Sequence, residues 1–283
     1  MRSGSLLSLG LALFLTAPLT SAAENPRGHL VVVGGGATDH RIVERALALA
    51  GGVTAQVAIL PQASALPDAG ENSAAMWREL GVEKVRVVDA TATAEARTIL
   101  ESAAVIWMPG GDQNKLMAAL TAAHLDELIR ARYRAGAVVG GTSAGAAVVS
   151  EVMLTGEADL QSLTPGATKT APGLALWPEV IVDQHFLKRQ RFNRLLSAVL
   201  DHPDKIGVGI DEGTAVIVSG GRWEVLGASS VLIVDARHAA DGIRLRVLRP
   251  GMNWQPAAAP PSRVLKVPAH LGWDCGLPPN PRR

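Results

Sequence analysis

Gly141-Thr142-Ser143-Ala144-Gly145 lies between an apolar run, Ala137-Val138-Val139, and a small-residue segment, Ala146-Ala147-Val148-Val149, able to open a helix. This is the pattern of a nucleophile elbow. A serine on a tight strand-to-helix turn takes a strained backbone, and flanking glycines admit neighbouring chain. Free N–H groups of the following helix face the turn, where they can stabilise negative charge developing on an attacked carbonyl. A small-residue turn can also do no more than pack a helix on a strand. The chemistry therefore requires a histidine and an acid from elsewhere.

Four other segments come into question. Asp183-Gln184-His185-Phe186 lies where a strand passes into a helix, and His185 is bracketed there by polar residues. Lys188, Arg191 and Arg194 follow at i, i+3, i+6 on one helical side, with Leu195, Leu196 and Val199 as the buried face. Such a stripe is either solvated or able to hold carboxylates bidentately through its arginines. Gly110-Gly111-Asp112-Gln113 ends another apolar run. Its backbone N–H groups could form half of an oxyanion hole and Gln113 could bond an amide or carboxylate, or the segment is a turn with an Asp N-cap. Asp211-Glu212 either delivers a carboxylate to a sheet end or makes a polar turn before Gly213. Gly34-Gly35-Gly36 follows the first apolar run but fails the dinucleotide-binding test. Asp39 stands where the third glycine is needed, and the second run ends Ile59-Leu60-Pro61-Gln62 without a ribose-binding acid. A tight turn beside the active centre is the reading left.

The elements that must position these residues follow from the hydrophobic pattern. Strands are expected at His29 to Val33, Ala55 to Leu60, Lys84 to Val88, Ala103 to Met108 and Ala137 to Val139. Helices are expected at Arg41 to Ala50, Ser73 to Leu80, Ala94 to Leu100 and Asn114 to Tyr133, the last as two helices. Short apolar strands alternating with helices imply an α/β fold, with a largely parallel sheet covered on both faces and ligands beyond the carboxyl ends of its strands. After the elbow, 155 to 176 reads as loop-rich, with Pro165, Pro172 and several glycines, followed by a strand at Val180 to Val182 and a helix from about His185 to Leu200. From Ile206, short strands with hairpin-like spacings run to Leu248, and the Pro- and Ala-rich tail from Met252 is expected to be extended or partly disordered.

Residues 1–23 have the order of a secretory signal: Arg2, an apolar stretch from Leu6 to Ala17, and Ser21-Ala22-Ala23 before Glu24. The stretch is too short to span a bilayer comfortably, so the chain is expected to be exported, to the periplasm or the medium, and to have no stable membrane span. Removing 23 of 283 residues leaves 260, enough for a single α/β domain over 24–250 with a tail over 251–283. The signal carries Arg2 and no acid, so 27 basic and 26 acidic residues become 26 of each. A neutral chain without a basic block gives no support for a nucleic-acid partner. Cys275 is the only cysteine, which excludes an internal disulfide and cysteine-rich zinc spacing; there is no His-Glu-x-x-His either, so no metal site is expected.

Four motifs in one order resemble those of cyanophycinases: Gly-Gly-Asp-Gln at 110–113, Gly-Thr-Ser-Ala-Gly-Ala at 141–146, Val-Asp-Gln-His-Phe at 182–186 with Arg191 and Arg194, and Gly-Val-Gly-Ile-Asp-Glu-Gly-Thr-Ala at 207–215. These are serine exopeptidases related to dipeptidase E, with a flavodoxin-like fold similar to class I glutamine amidotransferases. The resemblance covers roughly 29–235. It implies a serine hydrolase that cuts β-aspartyl bonds, with Ser143 as nucleophile, His185 as base, and Gly111 and Ala144 N–H groups as oxyanion hole. Gln113, Asp183, Gln184, Arg191 and Arg194 would bind substrate. For the acid, Glu212 lies inside a matched motif, while Glu157, near Asp159 in the loop after the elbow, is its rival. The order serine, histidine, Glu212 is similar to the nucleophile, histidine, glutamate order of the amidotransferases. The implied substrate is cyanophycin, an aspartate backbone bearing arginine on its side-chain carboxyls, released as β-aspartyl-arginine; small isoaspartyl peptides, or a peptide-binding protein without catalysis, are the alternatives. The resemblance implies no cofactor, and a homodimer.

Overall fold

Strands that are apolar on both faces need helices on both sides, and the first half of the chain builds that arrangement. The computed structural model describes residues 26–237 and 242–257; the signal-like segment 1–23, Cys275 and all the chain from 258 onward lie outside the described residues. β1 (His29–Val33), β2 (Val57–Ile59), β3 (Val85–Val87), β4 (Val105–Met108) and β5 (Val138–Thr142) are parallel and stand in the order β1-β5-β4-β2-β3. Counted from β2, four of them follow the 2-1-3-4 order of a flavodoxin-like sheet, and β1 takes the fifth place.

Successive side chains of β1 alternate between two cores. Leu30 and Val32 enter one and Val31 and Val33 the other, all fully buried. The second core is covered by α1 (His40–Leu49), started by an Asp39 cap on the Arg41 N–H, and by α2 (Ala69–Arg78), whose Trp77 meets Trp107 edge-on at 5.5 Å. The first is covered by α3 (Thr93–Ser102), α4 (Gln113–Ala122), α5 (Leu125–Ala135) and the short α6 (Ala144–Ala147), through Leu100, Leu116, Leu120 and Ile129. Each fully buried Val, Leu or Ile side chain stabilises by roughly 1.5–3 kcal/mol.

The second half departs from the expected pattern in three places. Residues 155–176 are not a loop throughout: β6 (Val152–Ala158) and β7 (Thr168–Pro172) form an antiparallel hairpin with a register shift between Leu154 and Ala158. β8 (Val180–Gln184) is followed by turns, and the helix expected from His185 begins only as α7 (Phe192–Asp201). Asp211 Oδ1 accepts from the N–H groups of Leu187 and Lys188, and Gln190 has φ 51°, so the chain between His185 and Phe192 is held out of helical geometry.

β9 (Ile206–Ile210) runs parallel to β8, whereas β10 (Thr214–Ser219) leaves that sheet to pair antiparallel with β1 and then with β11 (Arg222–Gly227). β12 (Val231–Asp235) and β13 (Arg244–Leu248) return to extend the β8–β9 sheet, and α7 covers its outer face with Leu195, Leu196 and Val199. The third departure is the tail: β14 (Asn253–Trp254) pairs with β11, and Trp254 stacks edge-on against Trp223 at 4.8 Å. The folded unit thus extends past residue 250. No helix among the described residues is long and apolar enough to cross a membrane.

Candidate active site

The site forms where the carboxyl ends of β1, β5, β8 and β9 meet. Ser143 directly follows β5 and has φ 55° and ψ −109°, a conformation that costs a non-glycine residue about 1–3 kcal/mol. Its N–H donates to the Val33 carbonyl at 3.0 Å, which ties the turn to the end of β1. Gly141 and Gly145 both press on the Met108 carbonyl at the end of β4; a Cβ at either would overlap that oxygen. The glycines of the elbow are therefore set by the approach of the neighbouring strand.

His185 directly follows β8, with φ 50°, and its N–H donates to the Gly34 carbonyl at 2.5 Å. Gln184 and Ile210 are opposite one another in the parallel β8–β9 register, so the residues leaving those strands emerge side by side. Glu212 Oε1 lies 2.6 Å from His185 Nδ1, and His185 Nε2 lies 2.9 Å from Ser143 Oγ. An ionised carboxylate only accepts, so Nδ1 carries the proton and Nε2 is left to accept from the serine hydroxyl. The turn Gly34-Gly35-Gly36 seats this pair. A Cβ at Gly35 would overlap the His185 ring, and one at Gly36 would come 3.0 Å from Glu212 Cβ. The Gly213 N–H closes the seat on the Gly35 carbonyl at 2.8 Å.

Burial holds the His185 pKa below its usual 6.5; the Glu212 hydrogen bond opposes this and the nearby charges of Arg189 and Arg191 reinforce it. The imidazole is thus kept neutral, the form that can take a proton from a hydroxyl. On the other side of Ser143, a Cβ at Gly110 would lie 3.3 Å from the serine Cβ, so this turn runs close under the nucleophile position. Gly111 has φ 143° and packs on the Ala63 carbonyl, which also accepts the Asp112 N–H at 2.8 Å. Neither the Gly111 nor the Ala144 N–H has a protein acceptor among the described residues. Asp112 is also the N-cap of α4, its Oδ1 accepting from the Asn114 and Lys115 N–H groups, and this capping turn leaves the Gly111 N–H free of it.

A cleft of about 410 Å³ opens at Ser143. Gln184, Arg189 and Arg191 reach it from β8 and the turns that follow, and Gln113, Thr155 and Glu157 from the start of α4 and from β6. Arg191 Nη1 donates to both the backbone carbonyl and Oε1 of Gln184, each at 2.7 Å. Burial, with Arg194 nearby, lowers its pKa to about 10, so it stays cationic at neutral pH. Gln113 Nε2 donates to the Leu154 carbonyl at 2.9 Å.

Two of the residues expected to bind substrate do not reach the cleft. The Asp183 side chain is fully buried and receives both Nε and Nη2 of Arg194, itself 3% exposed; Arg191 Nη1 stands 3.8 Å from the same carboxylate. They form a buried ion pair that does not line the cleft, and Arg191 Nη1 bridges between it and Gln184. Glu157 lines the cleft but is bonded to Lys169 at 2.6 Å and not to His185, which Glu212 holds. Arg189 and Thr155 are cleft residues that sequence reasoning missed. The helical i, i+3, i+6 spacing passes over Arg189, and the hairpin that carries Thr155 has too little alternation to be seen.

Comparisons with known proteins identify the family and the shared fold. A cyanophycinase of Trichormus variabilis is 39% identical over 217 residues, covering 72% of this chain and 73% of that one. A peptidase E of Actinobacillus pleuropneumoniae is 27% identical over 194 residues, covering 66% and 81%. The crystal structure of a peptidase from an acI-B1 Actinobacterium superposes with a TM-score of 0.60 at 24% identity, over 81% of this chain and 96% of that one, which shows the shared fold. Residues 30–226, well over half of the chain, match peptidase family S51, and with the relatives just described this places the protein in that family as a serine-type peptidase.

Proposed function

We propose that this peptidase hydrolyses the aspartyl backbone bonds of cyanophycin, leaving the β-aspartyl link to arginine intact and releasing β-aspartyl-arginine through an acyl-enzyme. The observation that carries the reading is the chain Ser143 Oγ, His185 and Glu212, joined at 2.9 and 2.6 Å beside a cleft lined by arginines. His185 Nε2 accepts the proton as Ser143 attacks the backbone carbonyl of a β-arginylated aspartate, then gives it to the leaving backbone amine; water, deprotonated by the same nitrogen, releases the acyl group. The N–H groups of Gly111 and Ala144 meet the oxyanion. Arg189 and Arg191 suit the free α-carboxylates of the arginines that the polymer carries. The 39% identity to cyanophycinases, against 27% to peptidase E, favours the polymer over small isoaspartyl peptides. Export with removal of residues 1–23 would make the enzyme a scavenger of polymer outside the cell, and a homodimer is its expected assembly.

The test is mass spectrometry of products from the purified protein given cyanophycin, with β-aspartyl and α-aspartyl dipeptides in parallel. Wild type is expected to release β-aspartyl-arginine and Ser143→Ala to release none. Equal trace products from both would refute the enzyme assignment, and cleavage of β-aspartyl dipeptides alone would transfer the substrate to that class. The depressed His185 pKa sets a second expectation. The free base is the working form, so kcat/KM should stay high as the pH falls to 6.5 and decline only below it. An acidic limb centred above 6.5 would contradict a neutral, buried base.

A further inference from the structure

The cleft divides by charge. Its cations, Arg189 and Arg191, arrive from the segment after β8, and its acids, Asp112 and Glu157, from the start of α4 and from β6. These last two segments are clamped together, Gln113 Nε2 donating to the Leu154 carbonyl at 2.9 Å and Asn114 Nδ2 to the Thr155 carbonyl at 3.1 Å. Asp112 has its Oδ1 committed to capping α4, and Glu212 is committed to His185. Glu157 is the remaining carboxylate. It is 67% exposed, and its recorded partner is the equally exposed Lys169 across the hairpin. An exposed pair between two long side chains is weak, and a lysine offers one point charge where a carboxylate can accept two parallel N–H bonds.

We infer that Glu157 is the residue that recognises the guanidinium of the substrate's arginine, displacing Lys169 to do so. A β-aspartyl-arginine unit carries carboxylates and a guanidinium together. The arginines after β8 take the first, and a carboxylate on the clamped β6 segment takes the second in a bidentate pair. Lys169, whose pKa is raised by its bond to Glu157, holds that carboxylate toward the hairpin face until substrate arrives. The inference rests on the β-aspartyl-arginine reading above and adds to it the side-chain determinant, which sets arginine apart from a neutral side chain of the same shape.

Calorimetric titration of the Ser143→Ala protein with β-aspartyl-arginine and with β-aspartyl-citrulline, its uncharged isostere, reads this without cleavage. The arginine dipeptide is expected to bind about fivefold more tightly, the scale of one exposed ion pair. Adding Glu157→Gln should bring the ratio to about one, and adding Lys169→Met instead should raise it, since a competitor is removed. A ratio left unchanged by Glu157→Gln overturns the inference. So does equal weakening of both dipeptides with a lowered unfolding temperature, the mark of a hairpin strap, and so does failure of both to bind. If discrimination follows Glu157 but wild type cleaves no β-aspartyl substrate, the recognition stands and the proposed reaction falls.

Discussion

Glu212→Gln is expected to lower kcat by about 10³-fold while Glu157→Gln acts on KM, by about fivefold. The amide can present its NH2 to His185 Nδ1, which forces the proton onto Nε2 and removes the acceptor that Ser143 Oγ needs at 2.9 Å. It also withdraws the negative charge that stabilises the imidazolium. In a serine protease with a fully buried aspartate, the corresponding amide costs about 10⁴ in kcat. Glu212 is 32% exposed, so water can replace part of its effect, and the smaller loss is expected here. A pH profile separates this from mere disturbance. The Glu212 bond raises the His185 pKa, so its removal should move the acidic limb of the residual activity further down. Similar small losses in both variants, with the limb unmoved, would remove Glu212 from the reaction.

How much of this was legible in the sequence depended on whether local chemistry or distant contacts decided the backbone. β1, β4 and β5 are continuous apolar runs because they are buried on both faces, and such runs declare themselves. His185 and the pair Asp211-Glu212 could be placed because polar residues that follow a strand sit at a sheet end, whereas the roles of Ser143, Gly111, His185 and Glu212 came from the four motifs taken together. The turn between His185 and Phe192 could not be read. It contains no glycine or proline and looks helical by composition, yet it is shaped by Asp211, more than twenty residues away, and by positive φ at His185 and Gln190. That one turn moved Arg189 into the cleft and took Lys188, Arg191 and Arg194 off a common helical stripe. The β6–β7 hairpin was hidden for a different reason. Its outer half carries Thr155, Gly156 and Glu157, whose job is to face the cleft, so the alternation that marks a strand is lost where the function begins. The departure of β10 to the other sheet turns on Gly213, with φ 61°, and a single glycine does not say which strand the chain will meet next.

Asp183→Asn should lower stability by about 3–5 kcal/mol, a large part of the 5–15 kcal/mol that holds most domains folded. Both oxygens of Asp183 are used by Arg194, and both side chains are out of solvent. The substitution preserves shape but leaves Arg194 charged and unpaired, and Arg191 loses the anion that stands 3.8 Å from it. At about 2–4 °C per kcal/mol for a chain of this size, thermal unfolding should move down by roughly 6–20 °C. If Asp183 touched substrate instead, the same variant would raise KM and leave unfolding unchanged. The double variant Asp183→Leu with Arg194→Met tests the physical cause. Replacing a buried ion pair by apolar residues of similar volume is often neutral or stabilising, so unfolding should recover most of the loss. Activity should not recover with it, because Arg191, bonded to Gln184 beside the cleft, would still lack its counterion. Stability restored without turnover would separate the two duties of Asp183, holding the interior together and holding Arg191 in place. Unfolding left low in the double variant would mean that the pair's packing, and not its charge balance, sets the cost.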